Sequence, residues 1–181
     1  TFNNTSGDNL WSTASNWSFG SLPTSADFVI IPSSDNVIIS NQTNALASSL
    51  TIETGGDLTI SKNSNLTLSG DFSNSGTFTL NSDADEFSSI IVGGSSSGDI
   101  IYNRYVNTVG SGEWDLVGSP VDGLSIDAFV TANSSAIAES GSTYALGAYD
   151  NVANSWNNYT TTSVSNAGNF DIGSGYQMAT S

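Results

Sequence analysis

The chain has 181 residues and a formal net charge of −15, because 17 acidic residues are offset only by Lys62 and Arg104. So negative a chain repels phosphate backbones, and we predict no nucleic-acid partner. It has no His and no Cys, which removes the usual neutral-pH base, the thiol nucleophile and any disulfide, and no apolar run approaches the length of about 18–20 residues that a membrane span needs.

The first predicted element is an N-terminal cap over residues 1–24. Trp11 and Trp17 lie there, together with Leu10, Phe19 and Leu22. The first rung of a repeat fold is an open end, and bulky apolar residues cover such an end. Two buried strands, 28–31 and 37–39, are expected to follow.

A recurring triplet, with one Thr between two apolar residues, dominates the next part of the chain. Its apolar–polar alternation is typical of a half-buried strand, and Gly, Asn, Ser and Asp between copies indicate turns. Because one such strand cannot bury its apolar face alone, we expect successive copies to stack as a parallel β-solenoid with their Leu and Ile side chains inward. The copies are Leu50-Thr51-Ile52, Leu58-Thr59-Ile60, Leu66-Thr67-Leu68 and Phe78-Thr79-Leu80.

The pattern continues through strands at 90–92 and 100–102 and changes after Val106. Beyond it we predict a strand over 113–117, a short helical turn capped by Ser125, and two strands over 144–149 and 155–159 joined as a hairpin. The predicted fold is all-β. A capped, β-helix-like solenoid domain spans 1–106, and a small antiparallel β-sandwich-like domain spans 107–181, which we expect to be truncated at its C-terminal end.

The densest acidic cluster is the candidate metal site. Asp83, Asp85 and Glu86 place three carboxylates within four residues of a predicted loop. Oxygen ligands of this kind suit Ca²⁺, although the spacing lacks the Gly and the distant Glu of an EF-hand. A solvated turn is the alternative interpretation. Calcium is the only candidate cofactor, and Asp8 and Asp27 are weaker candidate ligands.

Aromatic residues are the candidate ligand-binding residues. Trp156 and Tyr159 lie in an Asn-rich stretch, and their rings could stack on sugar rings. The alternative is that they fill the core or cover an end of the fold. We predict no catalytic residues. Arg104 is interpreted as a structural cation stacked on an aromatic ring and paired with an acid, with a ligand anchor as the alternative.

Several loose motifs occur in a fixed order along the chain. They are Leu10-Trp11-Ser12 with Asn16-Trp17-Ser18 and Leu22-Pro23, Ser88–Gly94, Ser97–Val106 with its Tyr-x-Arg-Tyr strand, Trp114–Val121, Tyr149-Asp150 with Trp156, and Gly173–Tyr176. Together they resemble large, adhesin-like cell-surface proteins of flavobacterial-type Bacteroidetes that are exported by the type IX secretion system. The resemblance implies an extracellular location more firmly than an activity.

Composition favours the same location, since Ser, Thr and Asn make up about 40% of the chain and Lys is nearly absent. The predicted function is a non-enzymatic structural and adhesive segment of a secreted or surface-bound bacterial protein. The alternatives are a carbohydrate-binding module of a secreted polysaccharide-degrading enzyme and a subunit of an extracellular filament. Expected partners are polysaccharide, another surface protein, or further copies of the chain.

Overall fold

Short strands with alternating buried and exposed residues build the first part of the chain. The computed structural model describes all residues, 1–181, as two compact units, Thr1–Tyr105 and Val106–Ser181. The sequence predicts this boundary after residue 106, one residue later than the structure has it. The fold is nearly all β, as predicted, with a parallel solenoid in the first unit and an antiparallel sheet in the second.

The first unit is a three-sided coil of about four turns. Each full turn contributes one strand to each of three parallel sheets, whose orders are β1-β4-β7-β10, β2-β5-β8-β11 and β3-β6-β9. The strands are β1 (Phe28–Ile31), β2 (Asn36–Ile39), β3 (Asn44–Ala47), β4 (Ser49–Ile52), β5 (Asp57–Ile60), β6 (Asn65–Leu68), β7 (Phe72–Asn74), β8 (Thr77–Asn81), β9 (Ser89–Val92), β10 (Ser96–Ser97) and β11 (Ile101–Asn103).

The first three triplets lie on the three sides of one turn, and only the fourth stacks on an earlier one, which corrects the expectation that successive copies stack on each other. Leu58 of β5 lies in register with Val37 of β2 and Phe78 of β8, which are 21 residues before it and 20 residues after it. The stacking period is therefore a full turn, and the step of eight residues is one side of the triangle. The apolar residues of all four triplets are buried, as predicted. Full burial of one such side chain is worth about 1.5–3 kcal/mol.

Residues 1–24 cover the first turn, as predicted. The backbone N–H of Phe2 donates to the carbonyl of Ile30 (3.0 Å), and that of Trp11 donates to the carbonyl of Ile38 (2.9 Å), so the cap pairs with two open strand edges. Trp11 and Trp17 of the cap are buried and form an edge-to-face pair with centroids 4.7 Å apart. Edges paired in this way are not available to another chain.

The second unit is one antiparallel sheet backed by a short helix. Strand β14 pairs with β13, β15 and β16, and β16 also pairs with β12. The elements are β12 (Asp115–Val117), α1 (Ile126–Ala132), β13 (Glu139–Ser140), β14 (Thr143–Asp150), β15 (Ser155–Thr160) and β16 (Tyr176–Met178). Ser125 caps α1, as predicted, by accepting a hydrogen bond from the N–H of Ala128 (3.3 Å).

Helix α1 occupies the place that a second sheet takes in a sandwich. Its Ile126 and Val130 pack in the core with Leu146, Tyr176 and Met178 from the sheet. A separate small cluster of Ala138, Ala145 and Ala179 is also buried, so only part of the surface of the sheet that α1 leaves free is open to a different role. The structure has no helix with the length and apolar character needed to span a membrane.

Candidate functional site

The predicted calcium loop is an insertion in the third turn. Residues 82–87 form a small outward loop closed by an antiparallel bridge between Ser82 and Phe87. It lengthens the step from Leu66 to its stacked partner Ile90 to 24 residues, against 21 for the step from Ala45 to Leu66. The insertion brings the acidic residues beside Lys62 of the preceding turn.

Two of the three predicted calcium ligands, Asp83 and Glu86, are directed toward the Lys62 ammonium rather than toward a space that a metal ion could fill. The Lys62 ammonium contacts Asp83 Oδ2 and lies 3.4 Å from Glu86 Oε2. This ammonium is the main cause that lowers the pKa of Asp83, and the Asp83 contact in turn raises the pKa of Lys62. Asp83 Oδ1 accepts the backbone N–H groups of Asp85 (3.1 Å) and Glu86 (2.9 Å). The structure holds no group of three or more acidic side chains placed to bind a metal ion.

A calcium ion would therefore have to compete with the Lys62 ammonium. We expect Lys62→Met to enlarge the Ca²⁺-dependent rise in melting temperature, because it removes the competing cation and leaves Asp83 and Glu86 repelling each other. The measurement compares melts in Ca²⁺ and in chelator, where Ca²⁺ at about 100 times Kd adds roughly 2.7 kcal/mol of stability. The control is the Lys62→Met chain that also carries Asp83→Ala and Asp85→Ala, in which the Ca²⁺-dependent rise should be lost. If the parent and the variant each melt at the same temperature in Ca²⁺ and in chelator, the loop does not bind calcium.

The weaker candidates Asp8 and Asp27 serve the local structure of residues 1–27. Asp8 accepts hydrogen bonds from Thr13 Oγ1 (2.7 Å), the N–H of Leu10 (2.9 Å) and the amide of buried Asn16 (2.6 Å). These bonds, led by that from Thr13, lower the pKa of Asp8 well below its usual range. Asp27 accepts two bonds from Thr24. Both carboxylates are thus occupied by donors of their own chain.

Arg104 stacks on an aromatic ring, as predicted, but it has no acidic partner. Its guanidinium carbon lies 4.0 Å from the centroid of the Phe87 ring, a cation–π contact. The predicted acidic partner is absent, since both salt bridges of the chain are made by Lys62. Arg104 therefore holds the inserted loop through its aromatic end.

The structure does not bring Trp156 and Tyr159 together. They are three residues apart on β15, and neighbouring side chains on a strand alternate between the two faces. Tyr159 packs against the core of the second unit, and burial is the main cause that raises the pKa of its phenol. Trp156 lies on the opposite face, where 39% of it is exposed.

The face that carries Trp156 is uncovered over part of the sheet. Strand register places Leu116 opposite Gln177, Gln177 and Asn158 opposite Gly147, and Tyr149 opposite Trp156. Directly opposed residues of antiparallel strands share a face. We call these six residues the solvent face: Leu116, Gly147, Tyr149, Trp156, Asn158 and Gln177.

Two side-chain pairs give the solvent face a fixed shape. Tyr149 and Trp156 meet edge to face with centroids 5.1 Å apart, and the Tyr149 hydroxyl donates to Asn154 Oδ1 (2.5 Å). Gln177 Nε2 donates to Asn158 Oδ1 (2.5 Å) across Gly147. The sequence singled out Trp156 and named Tyr149 among the aromatic residues that could stack on sugars, but it did not pair the two rings. It missed Asn158 and Gln177, because the face that these residues share depends on strand register.

A pocket of about 200 Å³ adjoins the solvent face at Asn158. Its lining includes Trp114, Ser140, Thr143 and Ala145. Asn158 belongs both to this lining and to the amide pair, so the pocket and the solvent face are continuous. A chain molecule on the face could place one unit in the pocket.

Comparison with known proteins gives a family without an activity. The family described as "Domain of unknown function (DUF8693)" matches residues 1–181, and the chain belongs to it. No curated protein and no solved structure matches the chain.

Proposed function

We propose that this member of the DUF8693 family is a non-enzymatic structural and adhesive segment of an extracellular bacterial surface protein. The solenoid serves as a stiff spacer and the second unit as the adhesive part. The observation that carries the proposal is the solvent face, which presents an exposed aromatic pair beside a half-buried amide pair. The resemblance to Bacteroidetes surface proteins and the Ser-, Thr- and Asn-rich composition support the location.

The solenoid supports the spacer role through its continuous core. Eighteen buried apolar residues form one cluster that runs from the cap through the third turn. Parallel strand pairing joins the first three turns on all three sides and the fourth turn to the third on two sides. Nearest-neighbour stacking of this kind gives a quasi-one-dimensional, stiff element.

The charged groups support a non-catalytic role. The acidic loop is paired with Lys62, and Asp8 and Asp27 are held by donors of their own chain. With neither His nor Cys, the chain has carboxylates, hydroxyls and one Lys for general base or nucleophilic work. In the pocket beside Asn158, no carboxylate is hydrogen-bonded to a hydroxyl or to another carboxylate.

The experiment tests adhesion and catalysis on the same material. Microspheres coated with the chain are passed over immobilised polysaccharides, matrix proteins and bacterial cell envelopes, and the eluate is assayed for reducing ends and unsaturated sugars. We expect retention above that of albumin-coated beads, with no products. Products that disappear when a carboxylate is substituted would make the chain an enzyme, and beads retained on no surface would overturn the adhesive role.

The filament alternative rests on the last strand of each of the three solenoid sheets. Strands β9, β10 and β11 each pair with a strand of the preceding turn only, and an unpaired edge can add a further strand. Particle size measured against concentration distinguishes the two roles. A spacer keeps one size, whereas a filament subunit grows with concentration.

A further inference from the structure

The solvent face offers hydrogen-bonding groups that the chain itself does not use. The Gln177–Asn158 bond engages Gln177 Nε2 and Asn158 Oδ1. No hydrogen bond of the chain engages Gln177 Oε1 or Asn158 Nδ2, and both side chains are half-buried. The bond between the two side chains therefore holds one free acceptor, Gln177 Oε1, near one free donor, Asn158 Nδ2. A ligand hydroxyl can both donate and accept, so it could bond to both atoms.

The aromatic pair flanks these amides on the same two strands. Tyr149 and Trp156 are two residues from Gly147 and Asn158, respectively, on β14 and β15. Tyr149 is 41% exposed and Trp156 39% exposed. Because each ring is held by the other and Tyr149 also by Asn154, little side-chain freedom is lost when a ligand packs on them. An apolar ring surface beside polar groups matches a sugar, which has both.

The charge of the second unit decides between neutral and anionic ligands. Residues 106–181 contain no Lys and no Arg. They contain seven acidic residues: Glu113, Asp115, Asp122, Asp127, Glu139, Asp150 and Asp171. Asp150 follows Tyr149 directly, and Glu139 lines the adjoining pocket. An anionic ligand would meet only like charge here, so the face complements an uncharged ligand.

The size of the face decides against a folded protein as the occupant. A stable protein interface buries about 800 Å² on each partner and involves about 20–30 residues a side. The solvent face comprises six residues, and the pocket beside it holds about 200 Å³. These dimensions suit a narrow chain that runs across the strands and enters the pocket at Asn158.

We propose that the solvent face binds an uncharged polysaccharide. Tyr149 and Trp156 pack against the pyranose rings, Asn158 and Gln177 hydrogen-bond to their hydroxyls, and a neighbouring sugar unit occupies the pocket at Trp114. The proposal rests on the adhesive function proposed above and assigns its ligand class. The binding is expected to be insensitive to salt, since no ion pair contributes to it.

The experiment measures retention of the full chain on insoluble mannan, xylan and β-glucan, and on alginate and polygalacturonate as anionic polymers. We expect retention on at least one neutral polymer and none on the anionic ones. Trp156→Ala should weaken it by about tenfold or more, as the loss of about 1.4 kcal/mol implies. Gln177→Leu, which keeps the side-chain volume and removes the amide, should also weaken it.

The matched control is Phe28→Ala, which removes a ring that is 76% exposed in the first unit and should leave retention unchanged. Near-ultraviolet circular dichroism checks that each variant is folded. Equal retention of Trp156→Ala and the parent, or equal retention of Gln177→Leu and the parent, would overturn the site. Preference for alginate would overturn the ligand class. Beads retained on matrix proteins or envelopes, but on no neutral polymer, would overturn this inference and leave the adhesive function standing.

Discussion

Leu58→Asp is expected to unfold the solenoid. Leu58 is 1% exposed and lies between Val37 and Phe78 in one column of the core. An aspartate there would place a carboxylate in a core that contains no buried Lys or Arg. Such substitutions have some of the largest destabilising effects known, at more than about 4 kcal/mol. Thermal and urea melts followed by far-ultraviolet circular dichroism measure the loss.

Thr51→Asp is the matched control, because it makes the same change in charge at an exposed position of β4, the strand that precedes β5 in the chain. Its side chain points outward, so we expect a change within about 0.5 kcal/mol. A Leu58→Asp chain that melts like the parent would show that this column is not a core. Equal destabilisation by both variants would show that added charge, not burial, is responsible.

The sequence predicts the interior of the solenoid well because the interior follows a local rule. Alternation within a triplet decides which side chains face inward, and the apolar residues of the triplets at Leu50, Leu58 and Leu66 are all buried. The stacking partner is not a local property, since it depends on how many sides complete one turn. Steps of eight residues fit one side of a turn as well as one rung. Only the strand register shows that Leu58 meets Val37 and Phe78.

The candidate sites were harder to predict because each depends on contacts distant in sequence. The carboxylates at 83–86 are visible in the sequence, but their partner Lys62 is 21 residues before Asp83 and becomes its neighbour only through the stacking of turns. In the second unit, Gln177 and Asn158 are 19 residues apart and meet across β14. The signal that could have excluded a joint site for Trp156 and Tyr159 is their odd spacing on one strand.

Gly147→Ala is expected to disturb the solvent face and the sheet beneath it. A Cβ at position 147 would lie 2.6 Å from the carbonyl oxygen of Asn157 and 2.7 Å from the Cα of Asn158. Both atoms belong to the backbone of β15, so no side-chain rotation relieves the contact and the strands must separate. Overpacking of this kind costs about 1–3 kcal/mol. The melting temperature and hydrogen exchange of peptides from β14 and β15 measure the effect.

Gly175→Ala is the matched control for this prediction. A Cβ at Gly175 meets no atom within 4 Å, and its φ lies outside the left-handed region, so the substitution should be neutral or slightly stabilising. Separation of β14 from β15 would also part Tyr149 from Trp156, because each strand carries one ring of the pair. Gly147→Ala should therefore reduce retention on neutral polysaccharide together with stability, whereas Gly175→Ala should change neither. A Gly147→Ala chain that melts and exchanges like the parent would show that β14 and β15 do not approach this closely at Gly147. The arrangement of side chains on the solvent face would then be wrong.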